Sequence, residues 1–263
     1  VKSRIDKTFA ALRADGRTAL IAYLMAGYPA GVETATTITK LADSGADIIE
    51  VGIPFSDPLA DGATIQKASE AALASGVTTD LVFSAVSEAR KVTGTPIVLM
   101  TYYNIILKYG PERFAAAAAA AGVDGAIIPD LPPEEAGTWR RSAAQHGLNT
   151  IFLVAPTSSE ERIRRVTEAS TGFVYCVSLA GVTGGRTELA PGLPDFIEKV
   201  KRATDKPVAV GFGVSTAVQA GQLSNLADGV IVGSALIDRM SDGGIRGLAT
   251  AAAFVKELKG GMR

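Results

Sequence analysis

The chain has 263 residues, 47% of them hydrophobic, with a formal net charge of −1, one cysteine and one histidine. That apolar content supports a large core, and about 250 residues is the usual size of one α/β barrel. The near-neutral balance, without a basic run, excludes the footprint of a nucleic-acid or anionic-membrane binder, and one cysteine excludes an internal disulfide. With a single histidine as well, no cysteine- or histidine-rich metal site is expected. No apolar run reaches the ~18 residues of a membrane span, so a cytoplasmic location is expected.

The opening VKSRIDKTFAALRADGR has the spacing of an amphipathic helix in place of an apolar leader core. Eight short apolar runs follow: ALIAYLM (19–25), DIIEVGI (47–53), PIVLMT (96–101), GAIIP (125–129), TIFLVA (150–155), FVYCVS (173–178), PVAVGF (207–212) and GVIVGS (229–234). Helical patterns lie between them at 31–43, 78–92, 111–121, 133–146, 159–169, 193–204 and 215–226, and a further helix begins at GATIQKASEAAL. Runs that are apolar throughout fit parallel strands covered by helices. Eightfold alternation without a break in composition predicts an α/β fold, a single (β/α)8 TIM barrel forming one domain over residues 1–263. It would have an extra N-terminal helix and a short extra helix after the eighth strand. The competing doubly wound sheet usually shows a glycine-rich GxGxxG turn after its first strand, which MAGYPAG lacks. SGADIIEVG, AGVDGAIIPD and LADGVIVGS repeat one motif, a Gly/Asp turn running straight into an apolar strand. The seven alanines of 115–121 read as a helix with a smooth packing face, stopped by Gly122.

In such a barrel the chemistry sits beyond the C-terminal ends of the strands. Glu50 stands inside the second run, and alternation puts Ile48, Glu50 and Gly52 on one face with Ile49 and Val51 on the other. The strand interiors offer almost no cation to pair with it. Apolar walls would raise its pKa and suit it to giving and taking protons. Asp57 and Asp61 follow in FSDPLADG; Asp57 fits a turn before proline and Asp61 fits a helix N-cap, so residue chemistry alone does not separate site from scaffold. The glycine-rich turns SLAGVTGGRT, GFGVS and GVIVGSA after the last three strands expose backbone N–H groups suited to a phosphate. His146 falls at a helix end on the opposite rim and reads as structural. Cys176 reads as core, and Tyr175, with opposite facing, as cavity lining.

The string ADIIEVGIPFSDPLADGATIQ, with SLAGVTG, GFGVS and GVIVGSA, resembles the α-subunit family of tryptophan synthase from end to end. The resemblance implies a lyase of tryptophan biosynthesis that cleaves indole-3-glycerol phosphate by a retro-aldol reaction. It implies Glu50 as general acid–base and Asp61 as acceptor of the indole N–H. The indole pocket would fall on Tyr23, Ile65, Met100, Tyr175 and Phe212, with Thr183 in a lid. Phosphate ligands would fall on Gly184, Gly213, Gly233 and Ser234. No cofactor is implied in this chain; the partner would be a β subunit carrying pyridoxal phosphate, in an αββα heterotetramer. Pro54, Asp57, Asn104, Asp130 and Pro133 would face that partner, and apolar Ile105, Ile106 and Leu107, read as a solvated loop, would point the same way. Leu179 stands where the family often has arginine, and Tyr23 where it often has phenylalanine. The rivals are a sugar-phosphate isomerase or epimerase, for which metal ligands are wanting, and a non-catalytic phosphate-binding subunit, which Glu50 and Asp61 oppose.

Overall fold

The computed structural model describes residues 2–177, 192–211 and 213–262. In chain order these form α1 (Arg4–Ala14), β1 (Ala19–Met25), α2 (Thr34–Asp43), β2 (Ile48–Gly52), α3 (Ala63–Ala74), α4 (Thr79–Arg90) and β3 (Ile97–Met100). There follow α5 (Tyr103–Tyr109), α6 (Pro111–Ala121), β4 (Gly125–Ile127), α7 (Gly137–Gln145), β5 (Asn149–Ile151), β6 (Leu153–Val154) and α8 (Glu160–Ala169). The last elements are β7 (Val174–Val177), α9 (Leu193–Arg202), β8 (Val208–Gly211), α10 (Ala217–Ser224), β9 (Gly229–Val232), α11 (Ser234–Arg239) and α12 (Gly244–Gly261).

All pairings are parallel, in the order β5-β4-β3-β2-β1-β9-β8-β7-β6. The two ends of that order are consecutive in the chain, so the sheet rolls into a barrel. Eight apolar runs thus give nine segments, because the fifth divides at Phe152. There the backbone N–H donates to the buried Ser170 hydroxyl at 3.2 Å, a side-chain partner taking the place of a ladder bond. The short helix expected after the last strand is α11. A helix not read from the sequence, α5, occupies TYYNIILKYG.

Side chains alternate between two cores. Leu20, Ala22, Leu24, Ile49, Val51, Ile97 and Leu99 face the helices. Ile21, Ile48, Val98, Ile127, Ile151, Ala209 and Ile231 fill the interior. The N-terminal end of the barrel is closed by α1. A capping box between Ser3 and Asp6 starts this helix, and Ile5, Phe9 and Leu12, spaced to share one face, enter the interior cluster. Phe9 meets Phe173 with ring centroids 5.8 Å apart. The alanine run behaves as its composition requires: Phe114, Ala115, Ala118 and Ala121 are buried, and Gly122 ends α6 in the left-handed conformation.

The repeated Gly/Asp motif has a physical cause. Asp47, Asp124 and Asp228 each donate a backbone N–H to one residue of the neighbouring strand and accept that residue's own N–H on the carboxylate. The partners are Leu20, Ile97 and Val208, with N–H to carboxylate distances of 2.7, 2.8 and 2.9 Å. Each acid also meets cations: Lys259 at Asp47, Arg4 and Arg90 at Asp124, and Arg13 and Lys201 at Asp228. These clasps hold three strand pairs in register at the end opposite the mouth. Asp124 is the most enclosed, its side chain 4% exposed against 11% for Arg90. Asp124→Ala is expected to lower stability by about 3–5 kcal/mol, read as a lower denaturant midpoint, because it leaves Arg90 without its carboxylate and Ile97 without an acceptor. Asp124→Asn, which keeps an acceptor oxygen, is expected to cost less.

Candidate active site

Above the aliphatic floor the interior changes character. Tyr23 pairs with Glu50, Glu50 with Val98, and Gly52 with Met100 across β1, β2 and β3. Glu50 points inward as the alternation required, is 1% exposed, and its Oε2 has no hydrogen-bond partner among the described residues. Gly52, one inward position nearer the mouth, makes room for Tyr23: a Cβ there would lie 2.3 Å from the tyrosine hydroxyl. On the facing wall a Cβ at Gly211 would lie 2.9 Å from the hydroxyl of Tyr175. Glycine at these two strand ends leaves two tyrosines lying along the walls of an open pocket. Met100 and Ile65 pack with Tyr23, and Ala68 and Ala72 of α3 and Ile237 of α11 close the flank.

Asp61 arrives by the loop after β2. Its side chain does not cap the next helix, since the N-cap of α3 is Gly62 without a side-chain bond. The loop is tied down at several points. Phe55 exchanges backbone hydrogen bonds with the Ser69 hydroxyl at 2.9 and 3.0 Å, and the Gln66 amide donates to the Asp61 carbonyl at 2.9 Å. Tyr102, which the sequence reading passed over, stacks on Phe55 with centroids 5.1 Å apart, accepts the Ala60 N–H at 3.0 Å, and hydrogen-bonds the Asp61 carboxyl. Its signal was present as a polar-tipped aromatic just past the end of the third run.

Burial, then the neighbouring charge of Asp61, pushes Glu50 up to about 8. Burial raises Asp61 to about 6, against the opposing hydrogen bond from Tyr102. The hydroxyls of Tyr23 and Tyr175 are held protonated, well above their ordinary range, by burial and then by these two carboxyls. Two coupled acids therefore share a pocket in which near pH 7 the proton sits on Glu50 and the charge on Asp61.

The family model described as tryptophan synthase alpha chain matches residues 9–263. The chain belongs to the tryptophan synthase alpha chain family. The alpha chain of Roseiflexus castenholzii is 52% identical over 261 residues, covering 98% of this chain and all of that one. That of Streptomyces coelicolor is 46% identical, with 97% of each covered. Among solved structures, tryptophan synthase of Mycobacterium tuberculosis superposes with a TM-score of 0.91 at 45% identity over 100% of this chain and 99% of that one. The alpha subunit of Legionella pneumophila gives 0.90 at 38% identity over the same shares.

Of the residues to which the family resemblance pointed, Glu50, Asp61, Tyr23, Ile65, Met100 and Tyr175 come together at the mouth. Thr183, Gly184 and Phe212, with Leu179, lie outside the described residues. Gly213 follows β8 with φ +66°, and Gly233 and Ser234 form the N-cap and first residue of α11. Pro54 is buried, Asp57 and Asn104 are exposed, and Pro133 is half-buried, all on loops or helix starts at the same rim. Asp130 is exposed as well, and both its oxygens accept the Tyr103 N–H (2.9 and 3.2 Å), so it caps α5 from outside.

Ile105, Ile106 and Leu107 do not form the solvated apolar loop expected of them. They lie on α5, where Ile106 is fully buried and Ile105 packs on the core; Leu107 alone, at 54%, is exposed. Two of the three are explained by the fold. His146 and Cys176 match their structural readings: the first ends α7 with Nε2 2.7 Å from Glu112, and the second is buried in the outer core.

A folded-state pKa near 8 in place of 4.5 means that the folded chain binds the Glu50 proton more tightly than the unfolded chain does. Stability at this position therefore falls as pH rises from about 4.5 to about 8. Glu50→Gln is expected to be about 3 kcal/mol more stable than the unsubstituted chain at pH 7, with the difference vanishing towards pH 4.5. Chemical denaturation at the two pH values checks this.

Proposed function

We infer that Glu50 and Asp61 drive the reaction of this chain, the retro-aldol cleavage of indole-3-glycerol phosphate to indole and glyceraldehyde 3-phosphate. One observation carries the assignment: two carboxyls share one pocket, and their surroundings separate their pKa values to about 8 and about 6. Protonated Glu50 gives its proton to the ring carbon that bears the side chain. Anionic Asp61 accepts the indole N–H and stabilises the ring cation that results. Glu50, now a carboxylate, takes the proton of the adjacent side-chain hydroxyl. The oxygen then forms the aldehyde, the carbon–carbon bond breaks, and its electron pair returns to the ring. Indole leaves with the added proton and Glu50 is again protonated, so the cycle closes without an external acid or base. The reaction needs no cofactor in this chain; pyridoxal phosphate belongs to the β subunit.

Within this reading Tyr23, Ile65, Met100 and Tyr175 hold the indole, joined by Phe212 and by Thr183 as a lid. Gly213, Gly233 and Ser234, with Gly184, hold the phosphate through backbone N–H groups, for which the first turn of α11 has unpaired donors. The family pairs with a β subunit; for this chain we assign an αββα assembly meeting that partner at Pro54, Asp57, Asn104, Asp130 and Pro133. Leu59, 94% exposed between Asp57 and Asp61, favours a protein contact there. So does a groove of about 590 Å³ lined by Pro54, Phe55 and Asn104. No helix among the described residues is long and apolar enough to cross a membrane, and a cytoplasmic location belongs to the same reading. The sugar-phosphate isomerase alternative is not favoured: the family differs, and the described residues hold no three-ligand metal cluster.

The kcat/KM for indole release is expected to rise as Asp61 ionises near pH 6 and fall as Glu50 loses its proton near pH 8. Tyr102→Phe removes the hydrogen bond that holds Asp61 down, so the acidic limb is expected to move to higher pH while the alkaline limb stays. A flat profile between pH 5 and 9 would sink the pairing. Glu50→Gln is expected to abolish indole release while substrate affinity stays within about threefold, since the amide conserves shape and cannot cycle a proton. Residual turnover above about 1% would remove Glu50 from its role.

A further inference from the structure

The pocket holds a polar group that the acid–base cycle does not use, the hydroxyl of Tyr23. Tyr23 is 3% exposed and lies beside Glu50 in register on the adjacent strand. Its ring runs along the wall from one end of the pocket to the other. The base of the side chain rests by the β9–α11 turn, where a Cβ at Gly233 would lie 3.7 Å from its own Cβ. The tip rests over Gly52, one inward step above Glu50. No hydrogen bond ties the hydroxyl to a described residue, and since the enclosed side-chain atoms without partners among those residues are Glu50 Oε2 and Thr101 Oγ1, the Tyr23 hydroxyl opens onto the pocket, where a ligand can meet it. The absence of a Cβ at Gly52 is what allows the hydroxyl this position, since alanine there would overlap it.

We propose that the Tyr23 hydroxyl is a specificity-determining group that hydrogen-bonds the hydroxyl-bearing side chain of the bound substrate, between the reacting carbon and the phosphate. The proposal rests on the substrate reading given above. A substrate whose ring end lies at Glu50 and Asp61 and whose phosphate lies at Gly233 and Ser234 must pass its side chain along this tyrosine. That chain carries two hydroxyls, and Glu50 attends to the reacting one. Phenylalanine here would pack against an indole equally well but would offer no such bond. Tyrosine therefore separates recognition of the hydroxylated side chain from recognition of the ring. Burial, then the nearby carboxyls of Asp61 and Glu50, keep the phenol protonated through the working pH range, so it remains a donor. A site with a polar group waiting for a substrate hydroxyl disfavours ligands that lack one, because binding them leaves that group unpaired.

The test is Tyr23→Phe, which removes one oxygen and keeps the ring. Two quantities are measured on the full chain: the kinetics of indole release from indole-3-glycerol phosphate, and the Kd of indole-3-propanol phosphate, which has the ring and phosphate but neither hydroxyl. The expected result is a KM raised about three- to tenfold with kcat within about twofold, while the analogue's Kd is unchanged or lower. Equal weakening of both ligands would assign Tyr23 to ring packing alone and overturn the proposal. So would an unchanged KM, or a loss confined to kcat, which would place the hydroxyl on the acid pair. The analogue titration reads binding without turnover. If the unsubstituted chain fails to cleave indole-3-glycerol phosphate, the reaction assignment fails separately from this one.

Discussion

A closed sheet of parallel strands has one interior, and every second residue of every strand must enter it. At the N-terminal end that requirement is met by Ile21, Ile48, Val98, Ile127, Ile151, Ala209 and Ile231, sealed from below by Ile5, Phe9 and Leu12 of α1. Near the C-terminal end the same alternation delivers Glu50, Tyr23 and Tyr175, interleaved with Gly52 and Gly211. Floor and pocket are therefore successive layers of one pattern. Register is what separates them, because a slip of one residue in β2 would send Glu50 into the outer core. The aspartate clasps at Asp47, Asp124 and Asp228 act on that register directly, each fixing the start of one strand against its neighbour at two points.

The pocket's electrostatics follow from what the interior lacks. Among the described residues no lysine or arginine bonds Glu50, and the ion pairs lie at the strand starts or on the outer helices. Glu50 can then relieve the cost of burial only by keeping its proton. Asp61, held on a loop at the mouth and hydrogen-bonded by Tyr102, retains its charge to lower pH. The same acid that destabilises the fold at neutral pH is the one to which the proposed reaction assigns the proton there, the usual conflict between stability and activity at such sites.

How far this was legible in the sequence depends on the range of the interaction. Inward facing of Glu50 and Tyr175, and outward facing of Cys176, are local consequences of a two-residue period and needed only the strand to be found. The strand count and the repeated Gly/Asp turns were also local, although the clasp behind those turns joins residues 20 to 27 apart on different strands. Three features escaped. The break at Phe152 depends on a hydroxyl eighteen positions on. Helix α5 is one seven-residue stretch whose aliphatic residues resembled a surface patch until Ile105 and Ile106 found the core. Tyr102 acquires its role through Phe55, Ala60 and Asp61, more than forty residues earlier in the chain. No periodicity encodes such a contact.

The two acids also differ in how they are held, and their proposed tasks require it. Glu50 sits on a strand with neighbours on both sides, so its carboxyl is positioned by the ladder and moves little. It must reach two substrate atoms in turn, a ring carbon and the adjacent hydroxyl oxygen, and a fixed group between them serves both. Asp61 lies on a loop, where its placement depends on Ser69, Gln66 and Tyr102. A loop acid has no ladder to fix it, and side-chain hydrogen bonds take over that task. These ties hold Asp61 beside Glu50 at the mouth of the pocket, so that the charge the proposed reaction asks of one acid and the proton it asks of the other stand within reach of one ligand.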